Sequence, residues 1–401
     1  MDWSGLLLCI CALAACGCAA GALSEVDRGG LLWKAANYER AMQARHLRDG
    51  GMVLGGARFP TPLGHEGEDD ENSAYLTGAY LASLSFRYAV TGEAEARDQA
   101  RRCAASLRKL VDVTGCPGYL ARWWRPVAEA KPKEVGWLAK AWRTRGKYRW
   151  LGNPSTDQYT GVMFGYSVYY DLAADARERR LVGKYVGEMI GRVVEAGMKI
   201  LDPEGKPTTW YDMSPESLQE PLYSIVALHL LKVAYQTTGQ QRFEDKYREL
   251  ALQRHYLQRA IKQKADEHWN RSDDVMSFES FYTTLQHEQD PALREGLARA
   301  LQANWDDVRA DGRHLFGICY DALCPGAGQS AAAIQELVDF PSQKLWVTGR
   351  EHSGQPVPSW QRVPGWFDFM SDPHQRAVGM EESGVDYLLA YWMARYHGLI
   401  K

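Results

Sequence analysis

Two kinds of helix alternate along this chain, and the alternation limits its architecture more than any other feature. Residues 73–90 (SAYLTGAYLASLSFRYAV) are small, apolar and aromatic on nearly every side, and the run stops at Thr91-Gly92. Residues 93–113 (EAEARDQARRCAASLRKLVDV) follow as a charged, amphipathic helix. The pair recurs at 156–172 and 176–196, at 217–237 and 241–262, and at 275–287 and 291–308. Segments 330–347 and 382–396 read as single helices, and 31–46 opens the series. A helix that is apolar all round is buried on all sides, whereas one with a single apolar stripe covers a core and faces water. The first helix of each hairpin is therefore expected inside and the second outside, and the short turns make them antiparallel neighbours. Roughly eleven helices of this kind predict an all-α fold of two concentric layers closed into a ring, with a linear solenoid as the alternative. Loops of very different length favour the ring, because a solenoid keeps a short fixed period. The even recurrence predicts one domain over residues 24–401.

The loops give the ring two unlike rims. The short turns (Thr91-Gly92, Ala174-Asp175, Gly239-Gln240, Asp290-Pro291) all fall on one side. The long loops (49–72, 115–155, 199–214, 263–274, 309–329, 349–381) then fall on the other, each leading into the N-terminus of an inner helix. These N-termini bring free backbone N–H groups and positive dipole ends over a central cavity, where a binding site is expected. A few short strands are expected in the loops.

Carboxylates stand at five of these entrances: Glu66, Glu68, Asp69, Asp70 and Glu71; Asp157; Glu216 and Glu220; Asp273, Asp274 and Glu279; and Glu381, Glu382 and Asp386. Two carboxylates across a cleft divide acid and base roles when their surroundings separate their pKa values. Each one alone reads first as a cap or a partner for the helix dipole. The same loops hold Trp123, Trp124, Arg125, Trp137, Trp142, Trp150, Trp210, Trp360, Arg362 and Trp366. The chain has 14 Trp and 21 Tyr against 10 Phe, an excess of aromatics that carry a polar handle. Flat aromatic faces stack on sugar rings, and guanidinium forks pair with carboxylates or sulfates, so Arg125 and Arg362 read as anion clamps. Packing of the loops onto the ring is the competing reading of the tryptophans. His65 and His374 stand in long loops as candidate bases, while His229 reads as a core histidine. Gly161 and Gly165 lie inside a helix and read as sites of close packing.

Several function classes find no support. A net charge of −3 and a pI near 6.4, without a basic stripe, argue against nucleic acid. No Cys/His cluster has zinc spacing, no glycine-rich phosphate loop follows a strand, and no G-x-S-x-G elbow is present, so no metal or cofactor is expected. Residues 1–23 read as an export segment. The apolar run 6–15 is too short to span a bilayer, and Leu13-Ala14-Ala15-Cys16 resembles a lipoprotein signal in which Cys16 carries the lipid. No Lys or Arg precedes Arg28, and plain secretion with cleavage near Ala20 is the alternative. Cys103, Cys116, Cys319 and Cys324 in such a chain read either as disulfides or as small buried apolar groups.

The segments SAYLTGAYLASLSFRYAVTGEAEARDQA and STDQYTGVMFGYSVYYDLAAD resemble the helical hairpins of six-hairpin, (α/α)6-toroid carbohydrate-active proteins. That superfamily includes glycoside hydrolases acting on unsaturated uronic acids, polysaccharide lyases and sugar epimerases. The resemblance implies acid/base work by aspartates at inner-helix starts, as in unsaturated glucuronyl hydrolases, and Asp157 with one of Asp69 and Asp70 are the matching positions. The expectation is an exported, glycoside hydrolase-like enzyme on an acidic or uronic-acid-containing glycan. Asp157 is its general acid/base, Asp70 its partner, Arg125 and Arg362 clamps, and Trp123, Trp124, Trp210 and Trp360 stacking platforms, with Tyr159 also at the substrate. A lyase with Tyr159 or His65 as base, a sugar epimerase, and a non-catalytic surface lipoprotein that captures a glycan or protein are the alternatives.

Overall fold

The computed structural model describes residues 24–48, 50–58, 71–129, 136–217, 221–261, 272–311, 314–343 and 380–401. Helix α1 (Glu25–Ala41), capped by Ser24, runs on into a π-helical turn at Met42–His46. Four hairpins follow: α2 (Ser73–Thr91) with α3 (Ala94–Asp112), α4 (Thr156–Leu172) with α5 (Ala176–Glu195), α6 (Pro221–Thr238) with α7 (Gln241–Arg248) and the short α8 (Tyr256–Arg259), and α9 (Ser272–His287) with α10 (Pro291–Val308). Helices α11 (His314–Leu323) and α12 (Ser330–Asp339) make a fifth, and α13 (Val385–Tyr396) returns to α1.

Helices α2, α4, α6, α9, α11 and α13 form the inner layer. Each packs on the next, and α13 packs on α2, so the ring is closed. Their apolar residues are buried around the whole helix; every residue of α2 from Ser73 to Phe86 is buried. The outer helices bury one stripe only, such as Ala96, Ala100, Cys103, Leu107 and Leu110 of α3. The short-turn rim is built by local chemistry. Gly92 and Gly239 take φ of 70° and 66° to end α2 and α6, a conformation that costs glycine little. Asp175 caps α5 through the N–H groups of Arg177 and Glu178, and Asp290 caps α10 ahead of Pro291.

The inner ring is tightest between α2 and α4. A Cβ on Gly78 would stand 2.1 Å from the carbonyl oxygen of Gly161, and one on Gly165 would stand 2.3 Å from that of Gly78. Backbone therefore meets backbone at this crossing, and the close-packing role expected for Gly161 and Gly165 is observed.

Short strands decorate the long-loop side. β1 (Leu47–Arg48) pairs with β2 (Met52–Val53), and β3 (Gly56–Arg58) pairs with β9 (Met380–Glu382). In the loop between α3 and α4, β6 (Tyr148–Leu151) lies between β4 (Trp123–Pro126) and β5 (Trp142–Arg145), and β7 (Lys199–Leu201) pairs with β8 (Pro207–Asp212) in the next loop.

Three expectations need correction. The stretch 309–329 is not one long loop, because it contains α11, whose ten residues are too few for a clear period. With α12 as its partner and α1 paired to α13, the hairpin count reaches six. The helix expected over 241–262 is broken by a π-helical turn at Glu249–Gln253 and by His255, which takes φ 58°. The helix from Ser330 ends at Asp339, ahead of Phe340-Pro341, because proline cannot continue it. Cys103, Cys116 and Cys319 are free thiols, and Cys103 and Cys319 are buried among apolar side chains.

The α2–α4 contact yields a paired test. Gly78→Ala should cost more than about 3 kcal/mol in chemical denaturation, the upper range for overpacking, because rigid backbone blocks the methyl. Gly29→Ala, with nothing within 4 Å of the new Cβ, should stabilise α1 by about 0.5–1 kcal/mol. Equal effects at the two positions would refute the close-approach account.

Candidate active site on the long-loop rim

The starts of α2 and α4 are joined by one polar network. Ser155 caps α4: its backbone N–H donates to Gln158 Oε1 at 2.9 Å in a capping box. Gln158 Nε2 donates to Asn72 Oδ1 at 2.9 Å, crossing to the start of α2, and to Asp157 Oδ2 at 2.8 Å. Ser155 Oγ donates to the other Asp157 oxygen. Arg122, just ahead of β4 and 2% exposed, ties the network together. It donates to Ser155 Oγ at 2.5 Å, to the Asn153 carbonyl at 2.8 Å and to the Glu71 carbonyl at 3.2 Å. Burial lowers the Arg122 pKa, and Asp157 opposes that shift. Asp157 is thus half-buried at the mouth of the ring, with both oxygens held.

A second carboxyl lies deeper. Glu279 is the eighth residue of α9, about 10 Å below its start at 1.5 Å per residue. It is 2% exposed, and Tyr75 Oη of α2 lies 3.1 Å from its Oε2. Its Oε1 has no hydrogen-bond partner among the described residues. Burial raises the Glu279 pKa well above the usual carboxyl range, and the Tyr75 bond only partly opposes this. Tyr75 is raised by its own burial, then by Glu279 and by Asp157. Tyr75 therefore stands electrostatically between the two carboxyl groups.

A third carboxyl at the rim is bound into structure. Glu381, on β9, accepts from Arg45 Nε at 2.5 Å and Nη2 at 2.8 Å and from Gln343 Nε2 at 2.9 Å, with His46 Nε2 3.4 Å away. Burial pushes its carboxyl up, but His46, Arg45 and Gln343 together outweigh that and leave its pKa at about 2. This fork ties the turn after α1 to the strand that leads into α13.

Of the residues read as functional, the structure brings Asp157 to the site and leaves Trp210 of β8 open, at 52% exposed. The β7–β8 hairpin is joined to the lead-in of α4 by paired bonds between Asn153 and Thr209, 2.9 Å each. Others need correction. Trp123 is 1% and Trp124 7% exposed, so neither offers an open face. Trp123 packs edge-on to Trp142, and Trp124 packs edge-on to Tyr148. Arg125, read as an anion clamp, lies over the Trp123 ring at 4.2 Å and is 9% exposed. Tyr159 is 1% exposed, its pKa raised by burial, with its hydroxyl toward the Gly118 carbonyl at 3.5 Å, so it does not act as a base at the rim. His229 is a core histidine, fully buried and depressed to about 3 by burial, between Thr283 and the Thr160 carbonyl. Asp69, Asp70, His65, Trp360, Arg362, His374 and Cys16 lie outside the described residues.

Sequence reading passed over Tyr75, Arg122 and Gln158. Gln158 carries the one recoverable signal, three residues after a Ser cap. Among the described residues no cluster of His, Cys, Asp and Glu has the makings of a metal site. A cleft of about 740 Å³ opens on the outer wall over α1 and α3, but its buried Glu39 already accepts from Tyr80 at 2.7 Å and lies 3.6 Å from Arg87, and it is remote from the rim.

No family model and no curated protein matches the chain. Among solved structures it is similar to a sugar epimerase from a ruminal bacterium, at 12% identity over 91% of this chain and 99% of that one, with a TM-score of 0.50. It is similar to a Bacteroides ovatus GH9 structure at 9% identity over 94% and 84%, also with a TM-score of 0.50. A cellobiose 2-epimerase from Spirochaeta thermophila aligns at 9% identity over 94% and 100%, with a TM-score of 0.45. At such identities the likeness establishes the shared (α/α)6 toroid, and the chemistry has to come from the residues.

The Glu381 fork sets an acid-side stability term. Its folded pKa of about 2 lies below the ordinary 4.5, so the stabilisation is complete above pH 4.5 and is lost as pH falls through about 2. Glu381→Gln should therefore cost about 3 kcal/mol near pH 6, and the gap to wild type should close toward pH 2. Urea melts across that range decide it; a gap independent of pH would rule the ion pair out as its source.

Proposed function

We propose that this chain is a carbohydrate-active enzyme working at the long-loop rim, with Asp157 as its general acid/base. The observation that carries the reading is the Asp157–Gln158–Asn72–Arg122 network. It fixes one half-buried carboxylate at the junction of two inner-helix N-termini, and Tyr75 links it to a buried carboxyl whose pKa burial raises. Acid/base cleavage of a glycosidic bond, or protonation of an enol ether, needs two carboxyl groups in unlike surroundings, and Asp157 and Glu279 occupy such surroundings. The exposed Trp210 supplies an apolar face beside the entrance for a sugar ring. The toroid shared with a sugar epimerase and a GH9 structure agrees with a sugar substrate without naming one.

The substrate class we propose is an acidic or uronic-acid-containing glycan, with hydrolysis ahead of elimination or epimerisation. The chain is proposed to act after export, held at a membrane through lipid on Cys16 or released by cleavage near Ala20.

Asp157→Asn should lower kcat by about 100-fold or more on the best acidic oligosaccharide, the scale of losing a general acid/base. The amide keeps the shape but only one of the two accepting oxygens, so a thermal melt separates loss of the acid from loosening of the network. Reducing-end release measures hydrolysis, and a new absorbance near the ultraviolet edge would reassign the reaction to a lyase. Full activity in Asp157→Asn, or no turnover by wild type on acidic and neutral oligosaccharides, would overturn the reading.

A further inference from the structure

We propose that Glu279 serves the rim site from below as a positioning and proton-holding residue acting through the Tyr75 hydroxyl. The inference rests on the reading of the rim as a sugar-active site and adds the second proton-transfer partner of Asp157. Glu279 is not a helix cap, because it lies two turns inside α9. Among the described residues no cation contacts it: its one described polar contact is Tyr75, and its second oxygen has no partner there. A buried carboxyl without an ion pair is costly in its charged form, and one that serves packing alone is readily replaced by an apolar side chain.

The surroundings disfavour the charged form of Glu279 from every side for which a contact is described. From α2 comes Tyr75, a phenol whose own ionisation is suppressed by burial. From α11 comes Cys319, a buried thiol raised well above its ordinary range, with Sγ toward the Phe278 carbonyl at 3.3 Å. From α6, His229 sits one turn further along, against Thr283, and is uncharged above about pH 3. Asp157 on α4 acts on Tyr75 and not on Glu279. The only described route for a proton out of Glu279 is therefore the 3.1 Å contact to Tyr75.

The step balances without a co-reactant. The Tyr75 O–H bond breaks as an O–H bond forms on the departing sugar oxygen. The Glu279 O–H bond breaks as the Tyr75 O–H bond re-forms, so the phenol stays neutral and the negative charge ends on Glu279. Asp157 takes the matching proton from the attacking water, and exchange with solvent restores both carboxyl groups.

Two measurements test this. The first needs no substrate: the infrared difference between wild type and Glu279→Gln at neutral pH should show the carbonyl band of a protonated carboxyl in wild type only. No such band would mean that Glu279 is ionised, and would overturn the proposal. The second is the pH profile of kcat. Wild-type activity should fall as pH rises through the Glu279 pKa. Glu279→Gln should lose that alkaline limb and about 100-fold in kcat with KM little changed, Tyr75→Phe should lose as much, and Glu279→Asp should recover part of it. Thermal melts of all three variants control for folding. An unchanged kcat and limb in Glu279→Gln, beside an inactive Asp157→Asn, would make Glu279 merely structural while leaving the sugar-active reading intact. An active Asp157→Asn would instead remove that reading, and with it the role of Glu279.

Discussion

The crossing of α2 and α4 at Gly78, Gly161 and Gly165 is the contact on which the geometry of the candidate site depends. Side chains normally hold packed helices 8–10 Å apart, and here backbone touches backbone. The consequence appears one turn higher. Because the helices are so close, Asn72 and Gln158 at their starts come within 2.9 Å. Gly161 also leaves the space that the Tyr75 ring fills, since a Cβ there would stand 2.3 Å from its Cδ2. The glycines are thus a packing device and a site device together. They set where Asp157 sits relative to Tyr75, and so relative to Glu279.

The buried ionisable groups separate into two treatments. Glu381 is given Arg45, His46 and Gln343, and its charge is stabilised. Lys232, 3% exposed in α6, is given Glu244 at 2.9 Å and Glu288 at 3.0 Å near the opposite rim, beneath the face of Tyr247. Both clusters join elements distant in sequence, and each buried charge has its counter-charge. Glu279 receives no counter-charge from the described residues and is pushed toward its neutral form. Structural ion pairs also perturb pKa values, so perturbation alone marks nothing. Glu39 is also raised by burial, but Arg87 lies 3.6 Å from it. What separates Glu279 is that no cation meets it among the described residues, and that its partner Tyr75 also feels Asp157.

The fold was legible because helix burial leaves a periodic trace. Residues 156–172 and 291–308 begin and end in the structure where their apolar pattern begins and ends. α11 was not legible, since HLFGICYDAL is apolar on all faces yet too short for its period to show against the flanking glycines and proline. The site was half legible. Asp157 declares itself by following a Ser cap, and Glu279 stands among the entrance acids. Tyr75 does not, because α2 and α4 also carry Tyr80, Tyr159, Tyr166 and Tyr169, all buried, and Tyr80 and Tyr169 meet carboxyls of their own, Glu39 and Glu178, so only tertiary packing shows which tyrosine meets Glu279. The loop tryptophans misled for a related reason. Trp123 and Trp124 hold a three-stranded sheet together against Trp142 and Tyr148, and nothing local in sequence distinguishes that from a surface offered to a sugar.

Six hairpins closed in a ring separate the requirements of stability from those of chemistry. The short-turn rim is finished by caps and charge pairs: Asp175 and Asp290 on the outer-helix starts, glycines at positive φ on the inner-helix ends, and the Lys232 cluster close by. None of these groups is needed at the other rim. There the inner helices present their N-termini, whose free N–H groups favour negative charge. An acid placed at such an end is stabilised whether or not it reacts, so Asp157 costs the fold little. Glu279 costs more, because a carboxyl deep in α9 gains nothing from the helix end and meets no cation among the described residues. That imbalance is the strongest argument that the deeper acid is there for chemistry, and it makes the α2–α4–α9 corner the part of the ring where the reaction should be sought.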